Sequence, residues 1–140
     1  MATRRQLLWL APAIVASAAR AQPVSDADQA AIRRIIESQI EAFRRDDEAA
    51  AFAHASPMIQ GMFGSAANFM AMVRTLYPPV HRPRAVEFTD LVEEDGRLIQ
   101  KVELIGPDGA PALALYTMVR GPEGWRIDGC MLTVSERPAA

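Results

Sequence analysis

The chain reads as an α+β domain: three N-terminal amphipathic helices packed on a curved four-stranded antiparallel meander. Three observations carry that reading. Apolar residues recur at three- and four-residue steps from Ile32 to Leu76; beyond Pro83 the period falls to two; and Gly-containing turns cut the second half into short runs of similar length. Helices first and a meander after give a sheet that can cover the helices with one face. At 140 residues, with 50% hydrophobic and 23% charged, the chain is long enough for one domain with a real core, and it holds no repeat or low-complexity stretch.

The opening stretch stands apart from this domain. Thr3-Arg4-Arg5-Gln6 is basic, Leu7 to Ala19 is a run of mostly apolar residues, and Ala19-Arg20-Ala21 supplies small residues where a signal peptidase cuts. These are the three parts of a secretory signal in their usual order. The apolar run would span about 20 Å as a helix, short of the roughly 30 Å hydrocarbon core, so cleavage is expected rather than a stable membrane anchor. Pro12 and the lack of any polar face speak against a first core helix. The expected organisation is a cleavable signal over 1–21 and one domain over 22–140, working in the periplasm or secreted. Arg4-Arg5 followed by Leu7-Leu8 resembles a twin-arginine signal, with Trp9 where that pattern often carries Lys. The only cysteine is Cys130, which excludes a lipoprotein anchor and an internal disulfide.

Charge separates the same two regions. The first 21 residues hold three arginines and no acid, leaving twelve basic against seventeen acidic groups in the body. A body of that sign lacks the clustered Lys and Arg that meet a phosphate backbone or an anionic leaflet, so nucleic acid is not an expected partner.

The first helix starts where Ser25 can cap, with Asp28 three residues on. Ile32, Ile35, Ile36, Ile40 and Phe43 then form one stripe, and Arg33, Arg34, Glu37, Glu41 and Arg44 the solvated face. Asp46-Asp47-Glu48 reads as the acidic start of a second helix running to Ala55 and restarting at Ser56-Pro57, with Gly64 as its stop. Ser65 caps a third, carrying Phe69, Met72, Val73 and Leu76, which Pro78-Pro79 ends. Val86 and Phe88 begin the first strand, Glu94 to Arg97 turns, and Leu98 to Ile105 is the second strand. Pro107-Asp108-Gly109 turns again, Ala112 to Arg120 returns, and Gly121 to Gly124 leads into Trp125 to Val134.

This order of elements, with its long amphipathic first helix and closing Gly-Trp-Arg-Ile, resembles the NTF2-like (cystatin-like) superfamily. More narrowly, Gln39 to Asp47, Ala53 to Pro57, Met62 to Gly64, Met72 to Arg74 and Gly124 to Cys130 resemble the proteobacterial family known as domain of unknown function 4864. The resemblance spans about Asp28 to Leu132. It implies a sheet wrapping the first helix into a cone with a pocket at its open end, and it implies no particular activity, because this scaffold hosts isomerases, dehydratases, lipid binders and structural modules alike.

Few residues invite a chemical reading. Cys130 is expected as a small buried hydrophobe, facing opposite to Trp125 and Ile127, since neither His54 nor His81 stands in a nucleophile motif. The two histidines lack metal-ligand spacing, and no metal or cofactor is expected. Tyr77 to Arg84 reads as an extended, proline-stiffened connector, either a rigid crossover or a pocket rim where Tyr77, His81 and Arg82 meet a polar ligand. Asp128 and Tyr116 lie on neighbouring strands, and strand parity leaves open whether they share a face. Met58, Met62, Met70, Met72, Met118 and Met131 suit either a soft core or an adaptable pocket.

Two readings of function follow. One is a non-catalytic module that binds a small apolar or amphipathic ligand in its cone or a protein partner on its sheet face, a homodimer being compatible with it. The other is a pocket enzyme of the isomerase, dehydratase or hydrolase kind using Asp128, Tyr116 and His54 or His81. The absence of a dense titratable constellation favours the first.

Overall fold

The computed structural model describes residues 24–137; the signal read over residues 1–21 lies outside them. The elements run α1 (Asp26–Arg44), α2 (Glu48–Ala53), α3 (Pro57–Phe63), α4 (Ala66–Leu76), α5 (Pro78–His81), β1 (Ala85–Glu94), β2 (Arg97–Ile105), β3 (Pro111–Gly121) and β4 (Gly124–Thr133). The strands form one antiparallel sheet in the order β1-β2-β3-β4.

Helix starts follow the cap residues. The Ser25 hydroxyl accepts the Asp28 N–H at 3.1 Å, the Asp47 carboxylate accepts Ala50 N–H at 3.1 Å, and Ser65 accepts Asn68 N–H at 3.1 Å. What reads as one interrupted helix after Asp46 is two short ones, α2 and α3, broken where Ser56 caps anew and Pro57 takes the first helical position. Gly64 ends α3 in the left-handed conformation at φ 77°, which a glycine adopts without steric cost. The prolines after Tyr77 do not forbid helix as expected: Pro78 and Pro79 open a single turn, α5, because the first turn of a helix needs no N–H from them. Among the described residues before the sheet there are therefore five helical segments rather than three.

The α1 stripe is the centre of the core. Ile32, Ile36, Ile40 and Phe43 are buried against Val102, Leu104, Ala114, Tyr116, Met118 and Ile127 of the sheet, and Phe69, Met70 and Val73 of α4 close the other side. Ile35 only borders this cluster. Strand register sorts the sheet into two faces. Gln100, Tyr116 and Cys130 are successive partners, as are Leu98, Met118 and Ile127, so all six point to the helix side.

A β-bulge at Asp128 decides how β4 presents its side chains. Thr117 pairs with Gly129 but Met118 pairs with Ile127, leaving Asp128 as the extra residue. The insertion shifts parity by one, so Cys130 faces the same side as Trp125 and Ile127, not the opposite side that unbroken alternation predicts. The edge of β4 is covered by the α2–α3 link: Ser56 N–H donates to Ile127 O and Ile127 N–H to His54 O, each at 2.8 Å. On the outer face the segment after β4 crosses the sheet, where the buried Glu103 accepts Ser135 Oγ at 2.7 Å and Glu136 N–H at 3.1 Å.

Candidate functional site

A cavity of about 330 Å³ opens between the helices and the end of the sheet nearest the β4 bulge. Its floor is Tyr116, Ile127 and Cys130 from the sheet, with Gln39 of α1; its walls come from Ile59 and Phe63 of α3 and from Phe69, Met72 and Val73 of α4; Tyr77 and Val80 close one side. Aromatic contacts hold the α-helical wall together, with Phe69 centred 5.4 Å from Phe52 and 5.6 Å from Phe63. Met62 and Leu76 stand at the mouth, 66% and 64% exposed. Leu76 therefore ends the α4 stripe outside the core, and apolar exposure of that size beside an opening suits an entrance.

No lining residue carries a formal charge. The polar groups are Gln39, whose amide nitrogen already donates to Ala51 O at 3.1 Å, the hydroxyls of Tyr77 and Tyr116, and the Cys130 thiol. Tyr116 is wholly buried, and its hydroxyl has no hydrogen-bond partner among the described residues. A buried hydroxyl in that state forfeits its hydration with nothing in return. Burial pushes its pKa well above 10.0, and the neighbouring Cys130 adds to the rise. The thiol lies close enough to act on Tyr116 as a weak hydrogen-bonding neighbour, yet the hydroxyl meets no partner within normal hydrogen-bond geometry. Tyr77 is raised for the same two reasons, burial first and Cys130 second.

Burial likewise pushes the Cys130 thiol up to about 12, an effect that weak hydrogen bonding with the Tyr116 hydroxyl only partly offsets. The residue as a whole is half-buried and lines the cavity. With no lowered pKa and no base beside it in the cavity lining, Cys130 acts as a neutral lining group.

The other site candidates sit elsewhere. His81 Nε2 lies 3.2 Å from Asp46 Oδ1 and its ring packs 6.3 Å from Phe43, while Arg82 donates to Asp46 Oδ2 at 2.7 Å. Arg74 of α4 donates to the same carboxylate at 3.1 Å. Asp46, read from sequence as part of a helix start, is instead a left-handed residue at φ 55° just beyond α1, and it ties α4 and α5 to that turn. Hydrogen bonding from Arg74 outweighs the opposing effect of burial and, with His81 and Arg82, holds its pKa below 3.8. Asp128 accepts the Ser56 hydroxyl at 2.6 Å, and Ser56 also caps α3. His54 is half-buried with its pKa lowered, by burial first and then by Arg126. Of the five candidate ligand residues, then, the structure brings Tyr77 and Tyr116 together in the cavity and places His81, Arg82 and Asp128 outside its lining. Among the described residues no group of three or more His, Cys, Asp or Glu is placed to hold a metal ion, and no helix is long and apolar enough to cross a membrane.

The family profile of a domain of unknown function (DUF4864) matches residues 25–140. The chain belongs to that family. A solved domain of unknown function with a cystatin-like fold from Nostoc punctiforme superposes with a TM-score of 0.51 at 20% identity, covering 81% of this chain and 80% of that one. An NTF-2 like protein of unknown function from Burkholderia xenovorans gives a TM-score of 0.47 at 18% identity, covering 81% and 89%. At such identity the likeness to the Nostoc domain extends to the fold alone, which is cystatin-like. No curated protein matches the sequence.

Proposed function

We propose that this DUF4864 domain is a non-catalytic binding module that holds a small apolar or amphipathic molecule in the cavity between α3, α4 and the sheet. The observation that carries the reading is the cavity itself: about 330 Å³, apolar-walled, uncharged, and entered past exposed Met62 and Leu76. Ligand sites of this kind are concave, largely apolar and set with a few polar groups that fix orientation. The groups an enzyme would need as bases, Asp128, His54 and His81, are engaged or placed outside the lining, which favours binding over catalysis. The N-terminal segment from Thr3 to Ala21 supports an exported protein that meets its ligand in the periplasm or outside the cell.

Native mass spectrometry of the protein, purified gently from its own compartment, tests this. A reproducible small-molecule adduct, lost when Ile59→Trp fills the cavity, is the expected result. A clean protein mass in every preparation would count against a resident ligand. Replacing Arg4-Arg5 with Lys-Lys tests the export route: blocked export is expected for a twin-arginine signal, and undiminished export would assign the general secretory route.

A further inference from the structure

Resting on the cavity's role as a ligand site, we infer that its occupant is a neutral molecule carrying one hydrogen-bond-accepting oxygen, a ketone, aldehyde or ester on an apolar body, received by the hydroxyls of Tyr77 and Tyr116. Three features of the cavity converge on that chemistry.

The first is the unpartnered Tyr116 hydroxyl. It is fully buried on the cavity floor, and every other buried side-chain nitrogen or oxygen among the described residues has a partner. A group left in this state is satisfied when something outside the chain completes it. The second is its company. Tyr77 also lines the cavity, makes no side-chain hydrogen bond among the described residues, and lies near the same Cys130 thiol. Two phenols and a thiol thus line one cavity whose walls are otherwise almost wholly apolar. Burial raises the pKa of all three, so at neutral pH they are O–H and S–H groups able to donate to an oxygen.

The third is the missing countercharge. No Lys, Arg or His lines the cavity, so a carboxylate or phosphate at this spot would lose its hydration without an ionic partner. An ammonium head would meet no acid. A neutral carbonyl oxygen loses little by entry and gains the donors. The Tyr116 hydroxyl is closed to water in the ligand-free fold, so the oxygen reaches it as the lining side chains give way. Size narrows the class further: about 330 Å³ at roughly 30 Å³ per water-sized group holds about ten non-hydrogen atoms.

Isothermal titration calorimetry with methyl heptyl ketone, nonane and nonanoate tests the inference on the wild type and on the Tyr77→Phe/Tyr116→Phe variant. The wild type is expected to bind the ketone about fivefold to tenfold more tightly than nonane, the preference of about one net hydrogen bond, and nonanoate most weakly. The double variant should lose the ketone preference while holding nonane as before, and retained nonane binding shows that it is folded. A ketone preference that survives both substitutions, or equal binding of ketone and nonane by the wild type, overturns the inference and leaves the apolar site standing. Tightest binding of nonanoate overturns it in favour of an anionic ligand. Failure of all three to bind overturns the ligand site itself.

Discussion

Replacing Tyr116 with Phe should stabilise the ligand-free protein, against the usual direction for a core substitution. The ring of Tyr116 is fully buried among α1 and the sheet, and Phe keeps all of that contact. What is removed is a hydroxyl that gave up water on folding and has no partner among the described residues. An unsatisfied buried polar group costs about 1–3 kcal/mol, and the void left by one oxygen takes back roughly 0.3 kcal/mol. The net expectation is a gain of about 1–2 kcal/mol, which in a domain of this size raises Tm by roughly 3–6 °C. Differential scanning calorimetry of the wild type and Tyr116→Phe, both freed of ligand, reads it directly. A fall in Tm would mean that the hydroxyl is bonded in the native protein, to water or to Cys130, and the argument for an open donor would fail. Retaining a destabilising group is the pattern of a residue kept for function.

Other outcomes follow from the same contacts. Trp125 donates its indole N–H to Asp28 at 3.3 Å and so ties β4 to the start of α1; Trp125→Ala should cost about 2–4 kcal/mol in a urea titration, and an unchanged midpoint would remove that tie. Ser56→Ala deletes the α3 cap and strands the bulged Asp128, for about 1–3 kcal/mol by the same assay. Stability should fall in two stages on acidification. His54 has a lowered pKa in the fold, so the unfolded chain takes up protons first and stability declines from about pH 6.5 downward; Asp28 and Asp46, also lowered, add a second loss below about pH 3.8. For Asp28, burial alone would raise the pKa, and the hydrogen bonds from Trp125 and Ser25 with the charge of Arg120 reverse it. Thermal melts across pH should show both limbs, and His54→Gln should flatten the upper one. Finally, with its thiol near 12, Cys130 should react with iodoacetamide at neutral pH on the order of a thousandfold more slowly than an exposed cysteine, as intact-mass kinetics would show.

Much of the scaffold is legible in the residues alone, because its signals are local. Ser25, Asp47, Ser56 and Ser65 mark helix starts, Gly64 a stop, and the α1 stripe and the meander turns are periodic features that tertiary packing does not override. The site is less legible, for three physical reasons. A bulge is an insertion in pairing rather than in composition, so Asp128 silently reversed the side to which Cys130 points. Asp46 reads as a helix start by charge, but its role comes from Arg74, His81 and Arg82, brought to it by the packing of α4 and α5. The cavity itself is a mismatch between helices and sheet, to which Ile59, Phe63 and Met72 each contribute one apolar face that in sequence looks like ordinary core. The placement of Tyr77 in the cavity lining likewise comes just before α5, a turn that the prolines forbid in sequence unless their position at its very start is recognised.

The central claim is that the cavity takes up an apolar molecule, and fluorescence titration of naphthalene into the wild type and the Ile59→Trp variant tests it most directly. Naphthalene is neutral, rigid and close to the cavity's capacity. The account predicts saturable uptake at one site per wild-type chain and at least a tenfold loss in Ile59→Trp, with both proteins melting as folded domains. Uptake that does not saturate, or equal uptake by the two proteins, would contradict it.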